Sequence, residues 1–251
     1  GHSVRKAPNA VKRVIGVVPQ DIALYPDLSA RENLVFWGRM YGMSGAPLKQ
    51  RIEEVLDIVG LSDRAKEKIE TYSGGMKRRI NIAVGLLHQP KVLYMDEPTV
   101  GIDPQSRRRI LDTVLDLNKQ GLTVLYTTHY MEEAAELSDR IGIVDQGKLI
   151  ALGTQVELTR TVGELDTLRI GVDPAKIEAA SLLPALEQAS GVRRATLDGD
   201  TLTVQVEDAN AALSDVVARL DKAGAKVLSL RVEQPNLEAV FLNLTGRALR
   251  D

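Results

Sequence analysis

The stretch Lys91–Pro104 reads KVLYMDEPTVGIDP, and the interpretation of the whole chain starts from it. Val92–Met95 form a short apolar run with the composition of a strand buried on both faces. Asp96 and Glu97 end this run, and Pro98 prevents a simple continuation of the strand. Because parallel sheets place ligands at the carboxyl ends of their strands, we expect chemistry at the two acids. Neighbouring side chains on an extended segment point in different directions, so one carboxylate can face a metal while the other orients a water.

Three other segments end or begin an element in a similar way. Val14–Val18 is a strand-like run that leads to Gln20, and Ser73–Gly75 opens a helical pattern. Val124–Thr127 is another strand-like run, and His129 follows it closely. An isolated Asp-Glu pair is more often a solvated turn after a core strand, but the ordered set favours a functional site.

In this order the four segments resemble the Q-loop, the signature motif, the Walker B motif with its D-loop, and the H-loop of ABC-type ATPases. The resemblance covers essentially the whole chain after its first dozen residues. It implies an α/β fold with a RecA-like P-loop NTPase core and an inserted helical subdomain at about residues 21–87. Tyr72 stands where the family more often has leucine, which is a mild departure.

The resemblance also implies a role for each motif residue, with ATP and Mg²⁺ as cofactors. Asp96 would hold Mg²⁺, and Glu97 would be the general base that polarises the attacking water. Gln20 would ligate Mg²⁺ and report nucleotide occupancy to a partner, while His129 would contact the γ-phosphate. Asp103 in the D-loop would touch the opposite subunit.

The glycines of the signature segment have a physical logic of their own. Gly74 and Gly75 allow the backbone to approach a phosphate closely, and the helix amino terminus after Ser73 favours an anion. In ABC proteins this motif completes the site of the other protomer, so the resemblance implies a head-to-tail homodimer. The alternatives are an ordinary helix cap here, a loop amide at Gln20 and a core histidine at His129. The basic run Lys77–Arg79 is interpreted as a solvated helix face.

Composition limits the remaining possibilities. Hydrophobic residues make up 44% of the 251 residues, which supports a sizeable core. Lys+Arg 32 against Asp+Glu 34 gives a net charge of -2, so we expect no nucleic-acid partner. With Cys 0 there are no disulfides and no thiol chemistry, which fits a reducing compartment. No apolar run is long enough to span a bilayer, so another chain must cross the membrane if the protein works there.

One expected feature is missing from the sequence. A nucleotide-binding fold of this kind should carry a phosphate-cradling loop, G-x-x-x-x-G-K-[ST], well before the Q-loop glutamine. No such sequence occurs in the 251 residues. We therefore interpret the chain as an amino-terminally truncated ATPase.

Two domains are predicted. Residues 1–155 form the ATPase domain, in which alternating strands and helices indicate a mainly parallel sheet, and 156–166 form a linker. Residues 167–251 show the order βαββαβ, which predicts a ferredoxin-like domain, followed by a final amphipathic helix. The end of that helix, VFLNLTGR at 240–247, resembles the tail of bacterial drug-resistance exporter ATPases such as the daunorubicin-resistance type.

The leading hypothesis is an ATPase subunit that drives a separate integral membrane permease for export. By resemblance it would be cytoplasmic and peripheral on the inner face of the cell membrane. A second hypothesis is a non-transport ABC ATPase, although the chain has neither long coiled coils nor two tandem cassettes. A third is a catalytically incompetent module that only dimerises or regulates, because the phosphate loop is absent.

Overall fold

A computed structural model describes residues 1–161, 165–173, 179–233 and 237–245 of the chain. The chain divides into two compact units, residues 1–137 and 138–251. No helix of the described residues is long and apolar enough to cross a membrane. The domain boundary that the sequence predicts after residue 155 stays a prediction.

The first unit contains a parallel sheet of three strands in the order β1 (Ile15–Val18), β2 (Val92–Asp96) and β3 (Thr123–Thr127). Val18 is aligned with Met95, and Asp96 is aligned with Thr127, so the three carboxyl ends lie at one edge of the sheet. This register brings the loops that follow the three strands together, as expected for neighbouring parallel strands.

Only one face of the central strand is covered by the described residues. Leu93 and Met95 are buried in the core, whereas Tyr94 on the opposite face is 38% exposed. Val17 and Leu125, its aligned neighbours on β1 and β3, are more than half exposed. The prediction of a strand buried on both faces is therefore wrong, because the apolar run Val92–Met95 does not reveal how many layers cover it.

Three helices form the expected helical subdomain: α2 (Ala30–Met40), α3 (Gly45–Ile58) and α4 (Gly74–Leu86), with short 3-10 helices at Ser62–Arg64 and Ile69–Thr71 between the last two. The predicted capping box at Ser29 and Glu32 begins α2. Buried Leu34, Ile52 and Ile80 come from the three helices and join one core with strand residues such as Leu93.

The basic run Lys77–Arg79 is not a solvated face, contrary to the interpretation from sequence. Arg78 is 4% exposed and Arg79 is 6% exposed. Both guanidinium groups donate to backbone carbonyls, Arg79 to Val59 and Arg78 to residues near the end of β1. Burial lowers the pKa of both side chains. A charge count along the chain cannot reveal such partners, because every residue has a backbone carbonyl and the sequence does not show which ones a side chain binds.

Three further helices complete the first unit: α1 (Pro8–Val14), α5 (Pro104–Lys119) and α6 (Met131–Leu137). Helix α5 has an apolar face that includes Ile110 and Val114, both buried, as its periodicity predicts. Helix α1 was not predicted. It buries none of its residues, so it carries no apolar periodicity that could have revealed it.

The second unit begins with the hairpin β4 (Ile141–Asp145) and β5 (Lys148–Gly153), followed by α7 (Gln155–Thr161). Then come β6 (Asp166–Val172), α8 (Ala179–Glu187), β7 (Val192–Asp198), β8 (Thr201–Val206), α9 (Ala209–Lys222), β9 (Val227–Glu233) and α10 (Leu237–Thr245).

Strands β6 to β9 form an antiparallel sheet in the order β7-β8-β6-β9, which is the ferredoxin-like arrangement. Leu168, Leu202 and Val216 are fully buried in its core. The predicted fold class is confirmed. Of the predicted helix at 175–190, residues 175–178 lie outside the described residues. So do positions 235, 236, 246 and 247, which were assigned to the ends of the last helix.

Candidate functional site

The loops after the three parallel strands meet at the side chain of Glu97. The side-chain amide of Gln20 donates to Oε2 of Glu97 at 2.8 Å, and Nδ1 of His129 lies 3.1 Å from Oε1. The Glu97 side chain is 30% exposed and that of His129 is 40% exposed, so the group is open to solvent on one side. Both carboxylate oxygens are thus engaged by residues that belong to different strand ends.

The backbone at Glu97 explains why the two neighbouring acids point apart. Glu97 has a φ of 41°, in the left-handed region that a non-glycine residue seldom adopts. Its backbone N–H donates to the carbonyl and the side chain of Thr127, at 3.2 and 3.1 Å. Strain of this kind is typical of functional sites, and the two carboxylates have different partners, Thr127 for Asp96 and Gln20 with His129 for Glu97.

Thr127 also holds the first acid, and the sequence interpretation missed it. Its hydroxyl donates to Oδ1 of Asp96 at 2.7 Å. Asp96 is exposed, and its Oδ2 has no hydrogen-bond partner among the described residues. The alignment of Thr127 with Asp96 on adjacent strands was the only signal that could have revealed it, and it requires the register to be known.

The oxygen atoms available as ligands at this site fit magnesium. Oδ2 of Asp96 and Oε1 of Gln20 are oxygen atoms without a partner in the described part of the chain, and Mg²⁺ prefers oxygen ligands. No group of three or more His, Cys, Asp or Glu side chains that could hold a metal occurs among the described residues. Mg²⁺ usually takes one or two protein carboxylates and completes its shell with water and phosphate oxygens.

The loop that carries Gln20 is fastened to helix α4. Arg78 donates to the carbonyls of Pro19 and Gln20 at 2.8 and 2.6 Å. From the next turn of α4, Asn81 accepts from the backbone N–H of Ala23 at 3.2 Å. Helix α4 therefore fixes the backbone from which the Gln20 side chain reaches Glu97.

The signature residues form a second cluster at the start of the same helix. Ser73 caps α4 by accepting from the N–H of Met76 at 3.2 Å, and Asp103 caps α5 in the same way by accepting from Ser106 at 2.9 Å. A Cβ on Gly75 would overlap the side chain of Ser106, so the two helix starts pack in direct contact. Hydrogen bonds from Ser106 lower the pKa of Asp103.

The structure thus places the predicted residues in two groups. One contains Gln20, Asp96, Glu97 and His129, and the other contains Ser73, Gly74, Gly75 and Asp103. No hydrogen bond or ion pair joins the two groups within the described residues. Gly74 lies on the open side, where a Cβ would meet only Ile102 at 3.8 Å.

In the comparison with protein families, residues 1–100 match the family described as ABC transporter. Among individual proteins, the chain is 50% identical over 253 residues to the linearmycin resistance ATP-binding protein LnrL of Bacillus subtilis, covering 100% of this chain and 80% of that protein. It is 38% identical to the doxorubicin resistance ATP-binding protein DrrA of Mycobacterium tuberculosis, covering 98% of this chain and 74% of that protein. Similarity also extends to the Nod factor export ATP-binding protein I of Paraburkholderia xenovorans, at 36% identity over 100% of this chain and 79% of that protein.

Solved structures agree with the fold. The chain matches a structure of an ATP-binding subunit of an ABC transporter with a TM-score of 0.57 and 27% identity, covering 65% of this chain and 68% of the other. It also matches cbiO1 from Clostridium perfringens, part of the ABC transporter complex cbiONQ, with a TM-score of 0.55 and 26% identity, covering 63% and 66%.

Proposed function

Because this chain belongs to the ATP-binding proteins of the ABC transporter family, we propose that it hydrolyses ATP to power a separate membrane permease. The named relatives act in drug resistance and in Nod factor export, which supports an exporter of hydrophobic cargo. In this role the protein sits at the inner face of the membrane beside its permease.

The observation that carries the proposal is the meeting of Gln20 and His129 at the two oxygens of Glu97. Phosphoryl transfer to water needs an oriented nucleophile and a way to neutralise charge on the phosphate. A water beside Glu97 gives a proton to this carboxylate as its oxygen attacks the γ-phosphorus, and the bond from that phosphorus to ADP breaks to release phosphate. Nδ1 of His129 lies 3.1 Å from Oε1, which leaves the other ring nitrogen to orient the same water or to contact the γ-phosphate.

Asp96 and Gln20 supply the oxygen atoms for the metal. A Mg²⁺ ion held by these two residues would neutralise charge on the phosphates of ATP. Thr127 keeps one oxygen of Asp96 engaged, so the other faces outward. This arrangement separates metal binding at Asp96 from proton transfer at Glu97.

The separate cluster of Ser73, Gly74, Gly75 and Asp103 supports a head-to-tail homodimer. A capped helix start with an open glycine binds an anion well, but it makes no contact with Glu97 in its own chain. In a head-to-tail pair this helix start faces the γ-phosphate bound by the other protomer. Hydrolysis is then a property of the dimer.

The central test compares turnover by the product of the whole gene, reconstituted with its permease, with and without Glu97→Gln. We expect the substitution to lower turnover by at least about a hundredfold, because the general base is lost while the shape is kept. Asp116→Asn, at an exposed carboxylate near the end of α5 that belongs to neither group, is the matched control and keeps full turnover. Equal turnover in the Glu97→Gln variant and the unchanged protein would refute the catalytic assignment.

The missing G-x-x-x-x-G-K-[ST] sequence favours one alternative for the 251 residues taken alone. Without that loop the main phosphate cradle is absent, and we infer that these residues bind Mg-ATP weakly. A module of this kind would dimerise or regulate without turning over ATP. Calorimetry on the 251-residue chain decides between the two, since tight Mg-ATP binding would overturn the inference.

A further inference from the structure

Glu133 is a buried carboxylate for which the proposed mechanism has no role. It lies on α6 and is 1% exposed. Its Oε1 accepts from the Thr99 hydroxyl at 2.7 Å and from Nε of Arg107 at 2.6 Å. Its Oε2 accepts from the hydroxyls of Tyr126 and Thr128, both at 2.9 Å. A buried charge is costly unless it is fully paired, and this one has four donors.

The four donors come from the segments that build the site. Thr99 lies two positions after Glu97, in the turn that leaves β2. Arg107 lies on α5, one turn after its cap Asp103. Thr128 immediately precedes His129. One carboxylate therefore joins the turn of the general base, the helix of the second cluster and the loop of the histidine.

The histidine loop is held from a second side by the same arginine. The guanidinium of Arg107 lies 4.2 Å from the ring centroid of Tyr130, and the Tyr130 ring lies 4.3 Å from that of His129. The backbone N–H of Tyr130 also donates to the Thr128 hydroxyl at 3.0 Å. The rings and backbone on both sides of His129 are thus fixed by groups that Glu133 binds.

We propose that Glu133 is a positioning residue that holds His129 at Glu97 and couples this contact to helix α5. The proposal rests on the proposed function. The Thr128 hydroxyl donates a hydrogen bond to Glu133 and accepts one from the backbone N–H of Tyr130, and these two bonds set the path of the loop. A merely structural carboxylate would stabilise the fold without affecting the contact between His129 and Glu97.

The test uses two changes at position 133 and a matched control on the same helix. Glu133→Gln keeps the shape but replaces one acceptor oxygen with an NH₂ group, which cannot accept from Thr128 or Tyr126. Glu133→Ala removes all four contacts. Glu136→Gln removes an exposed ion pair between α6 and Arg108, and it leaves the site untouched.

The first readout is the nuclear magnetic resonance spectrum of the imidazole rings in the 251-residue chain. The chain has three histidines, His2, His88 and His129, so the ring signals are easily assigned. We expect Glu133→Gln to shift and broaden the His129 signal and to leave those of His2 and His88 in place. Glu136→Gln moves none of them. A His129 signal that is unchanged in both variants at position 133 would overturn the proposal.

The second readout is the split between kcat and KM for ATP in the product of the whole gene. A displaced His129 lowers kcat by about tenfold in Glu133→Gln and about a hundredfold in Glu133→Ala, with KM changed less than about threefold. Unchanged kcat in folded variants would also overturn the proposal. If the unchanged protein shows no turnover, the proposed function has failed, and the resonance experiment still tests the positioning role.

A second site keeps the test decisive if the variants at position 133 do not fold. Thr128→Val removes the hydroxyl that joins the loop to Glu133 while it keeps the side-chain shape. Thr128→Ser restores the hydroxyl. We expect the valine variant to reproduce the His129 signal change and the loss of kcat, and the serine variant to rescue both. Valine and serine variants that behave alike would contradict the proposal.

Discussion

The side-chain nitrogen of Gln20 lies 2.8 Å from Oε2 of Glu97, although 77 positions separate them in the chain. Gln20→Ala should remove this hydrogen bond and one oxygen ligand of the proposed magnesium site. We expect about ten- to a hundredfold lower turnover and a higher Mg²⁺ concentration for half-maximal rate. Turnover of the whole gene product measured across a Mg²⁺ titration checks this. An unchanged Mg²⁺ requirement would remove Gln20 from the metal site.

Arg78→Met should destabilise the chain by about 1–3 kcal/mol. The change removes the guanidinium donors to the carbonyls of Pro19 and Gln20, and of the two only Pro19 keeps another donor, the Asn81 amide at 3.3 Å. Lys77→Met, one position earlier on the same helix, is the control and should change the free energy of unfolding by less than about 0.5 kcal/mol. Urea unfolding of the 251-residue chain measures both, and equal effects would show that the buried guanidinium is dispensable.

The two signature glycines should differ when each is replaced by alanine. Gly75→Ala forces α4 and α5 apart because the new Cβ overlaps Ser106, which costs about 1–3 kcal/mol. Gly74→Ala meets only Ile102 at 3.8 Å and should leave stability within about 0.5 kcal/mol.

The same pair separates folding from function. If Gly74 faces a phosphate of the partner protomer, its alanine variant is stable but loses ATP-dependent dimerisation, which light scattering of the whole gene product detects. Adding Ser106→Gly to Gly75→Ala should restore the lost stability by making room for the methyl group. A Gly74→Ala protein that dimerises normally would place the phosphate elsewhere.

His88 should make the chain sensitive to mild acid. Burial lowers the pKa of His88 from its ordinary 6.5, while Nε2 bonds the carbonyl of Ile15 at 2.9 Å. The unfolded chain therefore takes up the proton more readily than the folded chain. The stability that neutral His88 contributes is present above about pH 6.5 and is lost as the pH falls through the lowered pKa.

His88→Gln supplies the matched comparison because a glutamine amide can still donate to Ile15. We expect the free energy of unfolding of the variant to vary less between pH 7 and pH 5 than that of the unchanged chain. Urea unfolding at several pH values measures the slope. The same slope in both proteins would contradict a protonation-sensitive role for His88.

Much of the site could be predicted because strand order along the chain fixes which residues end up at one edge. Gln20, Glu97 and His129 each follow a strand, and parallel neighbours bring such positions together. The partners of each side chain could not be predicted. The left-handed backbone of Glu97 and the hydroxyl contacts of Thr127 depend on register.

Charged residues were the least predictable part of the sequence. Arg78 and Glu133 look like surface residues in a basic run and an acidic helix, yet both are buried. Two guanidinium nitrogens of Arg78 donate to carbonyls, and Glu133 accepts from three hydroxyls and one arginine nitrogen. Composition and periodicity report neither kind of partner. These roles appear only in the folded chain, because the carbonyl acceptors of Arg78 and the donors to Glu133 come from other segments.

The aligned residues Val17, Tyr94 and Leu125 form an exposed apolar row across the three strands of the first unit. This row lies on the face of the sheet opposite the buried Leu93 and Met95, so its side chains add exposed apolar area without packing in the core. We therefore expect Leu125→Lys to raise the solubility of the 251-residue chain. Leu93→Lys, at a buried position, should instead unfold it. This exposed row is one of the apolar surfaces through which copies of the chain can associate in solution.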